Sequence, residues 1–97
     1  MFWEKEESNR KETISLIPGQ VVIYGTSWCA KTQMVRRFFE RMQIPYRYLD
    51  IEDNPSAVKE LRWLTGGHAS HPTVVIDGQT YIEPTVSELE MVIAKYK

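Results

Sequence analysis

The stretch VVIYGTSWCAKT, residues 21–32, has the pattern of a buried strand that leads through a short turn into a helix. Its first four residues form a continuous apolar run, which is typical of a strand covered on both faces. The only cysteine of the chain, Cys29, stands where the helix begins. Backbone N–H groups and the helix dipole stabilise a thiolate there, and the thiolate is the reactive form. Cys29 is therefore the first candidate for chemistry, against the alternative that it is a small buried hydrophobe.

The residues that follow predict a strand–helix–strand unit. Apolar side chains recur at helical spacing from Met34 to Met42, and Pro45 ends the helix. The β-favouring segment 46–51 then predicts a second strand. Because two strands joined by a helix cross over in one sheet, we expect them to be parallel.

The second half of the chain carries explicit start, stop and turn signals. Asn54-Pro55 starts a helix and Gly66-Gly67 ends it. Asp77-Gly78 lies between two β-like runs and predicts an antiparallel hairpin. Thr85 and Glu88 form a capping box before a last helix. The fold is thus predicted as α/β, in the order β-α-β-α-β-β-α, with a four-stranded mixed sheet flanked by three helices.

Length and composition restrict the function classes. Ninety-seven residues suffice for one domain, and the net charge of −1 without a basic stripe gives no indication of nucleic-acid binding. No apolar run is long enough to span a bilayer, and one cysteine cannot form an intrachain disulfide. We expect a monomeric cytoplasmic protein, with a polar, mobile extension over 1–19 and a domain over 20–97.

Four motifs give the chain a family resemblance, and they extend over roughly residues 20–96. They are Thr26-Ser27-Trp28-Cys29, Leu49-Asp50-Ile51-Glu52, Gly66-Gly67 ahead of His71-Pro72-Thr73-Val74-Val75, and Pro84-Thr85. In these motifs the chain resembles glutaredoxins, most closely the mycoredoxin and glutaredoxin-like branch of the thioredoxin fold. The resemblance implies a thioredoxin-like fold and a cis-proline at Pro72, which places the backbone of residue 71 beside the cysteine.

The departures from the family pattern define the expected chemistry. The family dithiol is Cys-x-x-Cys, but this chain has Cys29-Ala30-Lys31-Thr32. Since one cysteine cannot resolve its own mixed disulfide, a small thiol must complete turnover. The resemblance thus implies a monothiol oxidoreductase, with Cys29 as redox-active centre, that reduces mixed disulfides between proteins and a small thiol.

The co-thiol is expected to be glutathione or a mycothiol-like compound, with no tightly bound cofactor and no metal. Few of the residues that bind glutathione in the family are present. Thr26 and Ala69 stand where the family has a lysine and an arginine, which would bind carboxylates, and Glu83-Pro84-Thr85 replaces a Gly-Gly-x-x-Asp segment. The residues predicted to stabilise the thiolate are Lys31, Thr32 and His71. Those predicted to bind the small thiol or substrate are Thr26, Trp28, Gly66, Gly67, Ser70, His71, Pro72 and Thr85.

Three other functions fit parts of the sequence. The missing second thiol also suits a redox-inactive binding or scaffold module. A dimer bridged by an iron–sulfur cluster would use Cys29 from each chain with two external thiols, although the Cys-Gly-Phe-Ser motif of such proteins is absent. A zinc site could combine Cys29 with His68 and His71.

Overall fold

A computed structural model describes residues 20–67 and 71–96 of the chain. Within these ranges the predicted order β-α-β-α-β-β-α is confirmed. The elements are β1 Val21–Gly25, α1 Ala30–Arg41, β2 Arg47–Asp50, α2 Pro55–Thr65, β3 Thr73–Ile76, β4 Gln79–Ile82 and α3 Val86–Ala94. No helix in the described ranges is long and apolar enough to cross a membrane.

The four strands form one mixed sheet in the order β2-β1-β3-β4. Strands β1 and β2 are parallel, as predicted, whereas β3 runs antiparallel to both β1 and β4. Tyr24 near the end of β1 pairs with Thr73 at the start of β3. This register brings the turn that carries Cys29 and the segment before β3 to the same end of the sheet.

Helices cover both faces of the sheet, which explains why its central strands are apolar on both sides. Helices α1 and α3 bury one face around Phe38, Phe39, Leu89 and Ile93. Helix α2 covers the other face through Ala57 and Leu61. The sheet is therefore the middle layer between two separate cores.

The helix end, the hairpin turn and the capping box that were predicted in the second half of the chain are confirmed. Gly66 ends α2 with a left-handed φ of 76°, and the Asp77-Gly78 turn has positive φ at both residues, 51° and 83°. Such a turn matches the twist of a two-residue hairpin. The capping box at Thr85 and Glu88 is complete.

One detail of the sequence prediction is wrong. Met34 is predicted in the apolar stripe of α1, but 54% of its surface is exposed, because it lines an open groove. Asn54 is the N-cap residue of α2, as predicted, but its side chain makes no cap hydrogen bond, since its Oδ1 accepts the hydroxyl hydrogen of Ser56 at 3.0 Å instead.

Candidate active site at the start of α1

A close contact between α1 and the end of β1 positions the first turn of the helix. Thr32 is fully buried, and a Cβ atom placed on Gly25 would lie 2.6 Å from both Cγ2 and Oγ1 of Thr32. Such a distance is far inside van der Waals contact, so only glycine fits at residue 25 in this arrangement. The helix start is thereby pressed onto the strand.

Cys29 is the N-cap residue of α1. Its backbone is extended, with φ −83° and ψ 121°, and its carbonyl oxygen accepts the Gln33 N–H at 3.1 Å, the first bond of the helix. The Cys29 N–H donates to the Thr26 carbonyl oxygen at 3.3 Å, which closes the turn after β1. The neutral thiol makes no cap hydrogen bond, and it is partly exposed. The sulfur therefore lies at the helix start without serving as a conventional cap.

The surroundings of Cys29 favour its ionised form. Burial raises the pKa of the thiol, but it is outweighed by the Thr32 N–H, the Thr32 hydroxyl, the His71 side chain and the Lys31 N–H. Together these lower the pKa of Cys29 from 9.0 to about 7. The thiolate is therefore more abundant at neutral pH than it is for an ordinary cysteine.

Two of these groups have hydrogen-bonding capacity that the neutral thiol does not use. Thr32 Oγ1 and His71 Nδ1 are both buried, and neither has a hydrogen-bond partner among the residues that the structure describes. Both side chains lie close enough to Cys29 to lower its pKa. An ionised sulfur is a much better acceptor than a thiol, so ionisation of Cys29 supplies the partner that these atoms lack.

His71 and Pro72 stand at the start of β3, beside the turn that carries the cysteine. The peptide bond between them is cis, and Pro72 is buried with its carbonyl oxygen accepting the Glu83 N–H at 2.8 Å. The His71 ring meets the Trp28 ring edge-on, with centroids 5.6 Å apart and an interplanar angle of 83°. Cys29, Trp28 and His71 therefore form one cluster from two distant parts of the chain.

Within this cluster Trp28 forms an exposed apolar surface and is not part of the hydrophobic core. Of its surface 66% is exposed, and its indole N–H donates to Glu52 Oε2 at 2.7 Å. Glu52 in turn is positioned by its own N–H, which donates to Asp50 Oδ1 at 2.9 Å at the end of β2. The segment that follows β2 thus fixes the position of the indole through Glu52.

The loop between β4 and α3 contributes a second, shallower feature. Lys31 Nζ lies 3.7 Å from Glu83 Oε1, and both side chains are largely exposed. Together with Met34, Pro84 and Thr85 they line a groove of about 210 Å³. The Thr85 hydroxyl oxygen already accepts the Glu88 N–H at 3.1 Å. The groove is mainly apolar, and the Lys31 ammonium at its edge is paired with the Glu83 carboxylate.

Residues 21–82 match the family model for glutaredoxin. The chain belongs to the glutaredoxin family. Membership supports a thiol–disulfide oxidoreductase type of function, and the observed architecture is the thioredoxin-like fold of that family. No curated protein matches the sequence significantly.

Solved glutaredoxins and thioredoxin-like proteins share this fold. The thioredoxin-like protein BC3987 is 24% identical, with a TM-score of 0.68, over 74% of this chain and 97% of its own. A glutaredoxin from Archaeoglobus fulgidus is 20% identical, with a TM-score of 0.68, over 77% of this chain and 86% of its own. One from Methanosarcina mazei Go1 is also 20% identical, with a TM-score of 0.65, over 77% and 78%. At these identities the similarity shows the fold alone.

The glutaredoxin fold brings only some of the predicted site residues to the sulfur. Thr32, His71 and Trp28 cluster with Cys29 or with one another, whereas the side chains of Lys31 and Thr85 line the neighbouring groove. Thr26 is buried directly before the cysteine turn, with its hydroxyl lacking a partner among the described residues. Their roles in binding stay predictions.

Of the remaining predicted residues, the glycines shape the loop before β3 by their backbone. Gly66 and Gly67 have positive φ angles of 76° and 109°. Ser70 lies outside the described residues, as do His68 of the zinc hypothesis and Ala69 of the missing arginine.

Three residues with a clear place in the site were given no role by the sequence reasoning. Gly25 receives Thr32, Glu52 holds Trp28, and Glu83 pairs with Lys31 and bonds Pro72. Glu83 has a φ of 48°, a conformation that favours glycine, and it stands where the family pattern has Gly-Gly. A glutamate at a position where the family has glycine was therefore the sequence feature that could have drawn attention to Glu83.

Proposed function

We propose that the protein is a monothiol glutaredoxin-like oxidoreductase that reduces mixed disulfides between proteins and a small thiol. The Cys29 thiolate attacks the small-thiol sulfur, and the protein sulfur leaves as a thiolate. A second small thiol then attacks the mixed disulfide on Cys29, which releases a small-thiol disulfide and regenerates the Cys29 thiolate. The observation that carries the proposal is the position of Cys29 as the partly exposed N-cap residue of α1, where the surrounding groups lower its pKa to about 7.

The residue at position 32 is the reason for a monothiol route. Thr32 is fully buried against Gly25 and has no thiol, so it cannot displace a sulfur from Cys29. Its N–H and hydroxyl instead stabilise the Cys29 thiolate, which is both the attacking group of the first step and the leaving group of the second. A more acidic leaving thiol departs faster, so the same groups favour both steps.

The partners proposed are protein mixed disulfides and a small cytoplasmic thiol, either glutathione or a mycothiol-like compound. The groove beside Lys31 supports a thiol that depends little on carboxylate recognition. Lys31 is already paired with Glu83, and Thr26 stands where a lysine is common. Unpaired Arg or Lys is what carboxylate recognition requires.

A disulfide-exchange assay tests the proposal. The substrate is a cysteine peptide joined by a disulfide either to glutathione or to an uncharged sugar thiol, with the matching free thiol in excess. We expect turnover by the wild-type protein and background rates for Cys29→Ser, because a serine hydroxyl is not a nucleophile of comparable strength at neutral pH. Absence of turnover with both thiols, from protein with a native circular dichroism spectrum, contradicts the proposal.

Reactivity of the thiol separates this enzyme from a binding module that has lost exchange chemistry. Alkylation of Cys29 by iodoacetamide, followed from pH 5 to pH 10, should show a midpoint near pH 7. A midpoint near 9 would instead favour the binding module, because only about one per cent of an ordinary thiol is ionised at neutral pH and the fold would then give Cys29 no advantage over a free thiol.

A further inference from the structure

We infer that His71 is the acid–base residue of the exchange reaction: it gives a proton to the departing protein sulfur and takes one from the incoming small thiol. The inference rests on the proposed function and adds a catalytic role to it. It differs from the prediction that His71 only stabilises the Cys29 thiolate, because here the imidazole acts on the other two sulfurs.

The position of His71 carries the argument. Its Nδ1 is buried without a hydrogen-bond partner in the described part of the chain, although buried ring nitrogens are normally bonded. Its side chain lies close enough to Cys29 to lower the pKa of that thiol. Trp28 meets the ring edge-on and is itself bonded to Glu52. Once Cys29 enters a disulfide its sulfur is a poor acceptor, so the imidazole beside it holds a ring nitrogen that is available to the other sulfurs.

The other polar side chains of the site and of the neighbouring groove are engaged in other contacts or do not ionise. Lys31 and Glu83 are paired with each other at 3.7 Å, and Glu52 accepts the Trp28 indole N–H at 2.7 Å. The Thr32 hydroxyl does not ionise near neutral pH. An imidazole is the side chain whose ordinary pKa lies closest to neutrality, which makes it an effective acid and base there.

The proton balance closes over one turnover. In the first step an S–S bond forms between Cys29 and the small thiol, the substrate S–S bond breaks, and its electron pair goes to the protein sulfur. The His71 imidazolium protonates that sulfur and becomes neutral. In the second step neutral His71 takes the proton of the incoming thiol, whose sulfur forms the new disulfide while Cys29 leaves as a thiolate.

The leaving group distinguishes this role from thiolate stabilisation. Alkyl thiolates are basic and leave slowly, so they gain from a proton donor, whereas acidic aryl thiolates leave quickly without one. A residue that only lowers the pKa of Cys29 would affect both classes of substrate alike. The dependence of the rate on the leaving thiol therefore reports on the proton donor alone.

The test is single-turnover attack by wild type, His71→Gln and His71→Val on glutathione disulfides that carry either an alkyl or an aryl leaving thiol. Glutamine keeps a hydrogen-bond donor without an ionisable proton, and valine is the small apolar residue expected before this proline. Each rate is divided by the thiolate fraction found from the pH dependence of alkylation. We expect both variants to lose about 100-fold with alkyl leaving groups and less than about threefold with aryl ones.

Two results would overturn the inference. An equal loss for both leaving groups would mean that His71 acts only through Cys29, and no loss would mean that it takes no part. Either result leaves the proposed function intact, provided that the wild-type protein turns over. If the wild-type protein attacks neither disulfide, the proposed function itself fails. Because the valine and glutamine variants differ in shape, agreement between them excludes a packing effect.

Discussion

The starts of α1 and α3 solve the same physical problem in different ways. Every helix begins with backbone N–H groups that lack a partner within the helix. At α3 the Thr85 hydroxyl accepts the Glu88 N–H, and the Glu88 carboxylate accepts the Thr85 N–H at 2.8 Å. At α1 the cap residue is Cys29, which makes no side-chain cap bond, and no acidic residue occupies the first turn.

The difference shows what a reactive helix start requires. Helix α3 uses its first amides for its own stability. Helix α1 is held by packing instead, through Thr32 against Gly25, and this leaves its amides facing the sulfur. Stability and reactivity thus draw on the same N–H groups, and α1 obtains its stability from a contact that does not consume them.

The largest effect should come from the contact that holds α1. Gly25→Ala places a Cβ 2.6 Å from two atoms of Thr32, and we expect a loss of about 1–3 kcal/mol in the free energy of unfolding. Urea titration of Gly25→Ala, Thr32→Ala and the double variant measures it. The double variant should cost less than the sum of the single ones, because Thr32→Ala removes the atoms that clash.

Additive losses in that cycle would show that Gly25 and Thr32 do not interact as described. A wild-type stability for Gly25→Ala alone would mean that α1 is held by something other than this contact.

Removing the side-chain cap of α3 should lower the free energy of unfolding, whereas adding one to α1 should raise it. Thr85→Ala breaks the capping box and is expected to lower the free energy of unfolding by about 1 kcal/mol. Cys29→Asp supplies the cap that α1 lacks, and its carboxylate also complements the helix dipole, so a gain of about 0.5–1 kcal/mol is expected. Thermal and urea unfolding, with Cys29→Ala as the matched reference, measure both. If Cys29→Asp is no more stable than Cys29→Ala, the amides of α1 are not free.

The Thr32 hydroxyl should account for part of the acidity of Cys29. Thr32→Val keeps the shape that packs on Gly25 but removes the hydroxyl, so the pKa of Cys29 should rise from about 7 to about 8. Thr32→Ser keeps the hydroxyl and should titrate like the wild type. The measurement is the ultraviolet absorbance of the thiolate as a function of pH. Identical curves for valine and serine would assign the lowered pKa to the amides and His71 alone.

The lowered pKa of Cys29 also makes the stability of the fold depend on pH. The folded protein lowers the pKa of Cys29 from 9.0 to about 7, so between these values the unfolded chain binds more protons. Ionisation of Cys29 therefore stabilises the fold fully above pH 9, and this contribution is lost as the pH falls towards 7. The unfolding free energy of the wild type, relative to Cys29→Ala, should rise from pH 7 to pH 9 and then level off. A constant difference would contradict the lowered pKa.

Much of the fold follows from short-range signals in the sequence. The Asp77-Gly78 hairpin, the left-handed Gly66 and the capping box at Thr85 each depend on residues within a few positions of one another. Met34 shows where this reasoning fails. Helical spacing identifies residues that share a face, but whether a given turn of that face is covered depends on what packs there, and Met34 faces an open groove.

The residues of the candidate site, like the elements of the fold, could be predicted only where they depend on near neighbours in the sequence. Cys29 follows from its place between a buried strand and a helix, and Trp28 from its place beside the cysteine. Glu52 was not assigned a role because its bond to the Trp28 indole depends on the exact register of β2 against β1 and on where each side chain points, neither of which residue spacing determines.

The amino-acid sequence by itself determined the order of the elements, the position of the thiol at a helix start and the lack of a second thiol to resolve it. These depend on spacing, turn residues and residue type, all of which act over a few positions. The tertiary structure alone decided that Thr32 is seated on Gly25 and that the His71 Nδ1, beside Cys29, is buried without a hydrogen-bond partner among the described residues. Such contacts depend on strand register and helix packing, because segments far apart in the chain meet only when the whole sheet has formed.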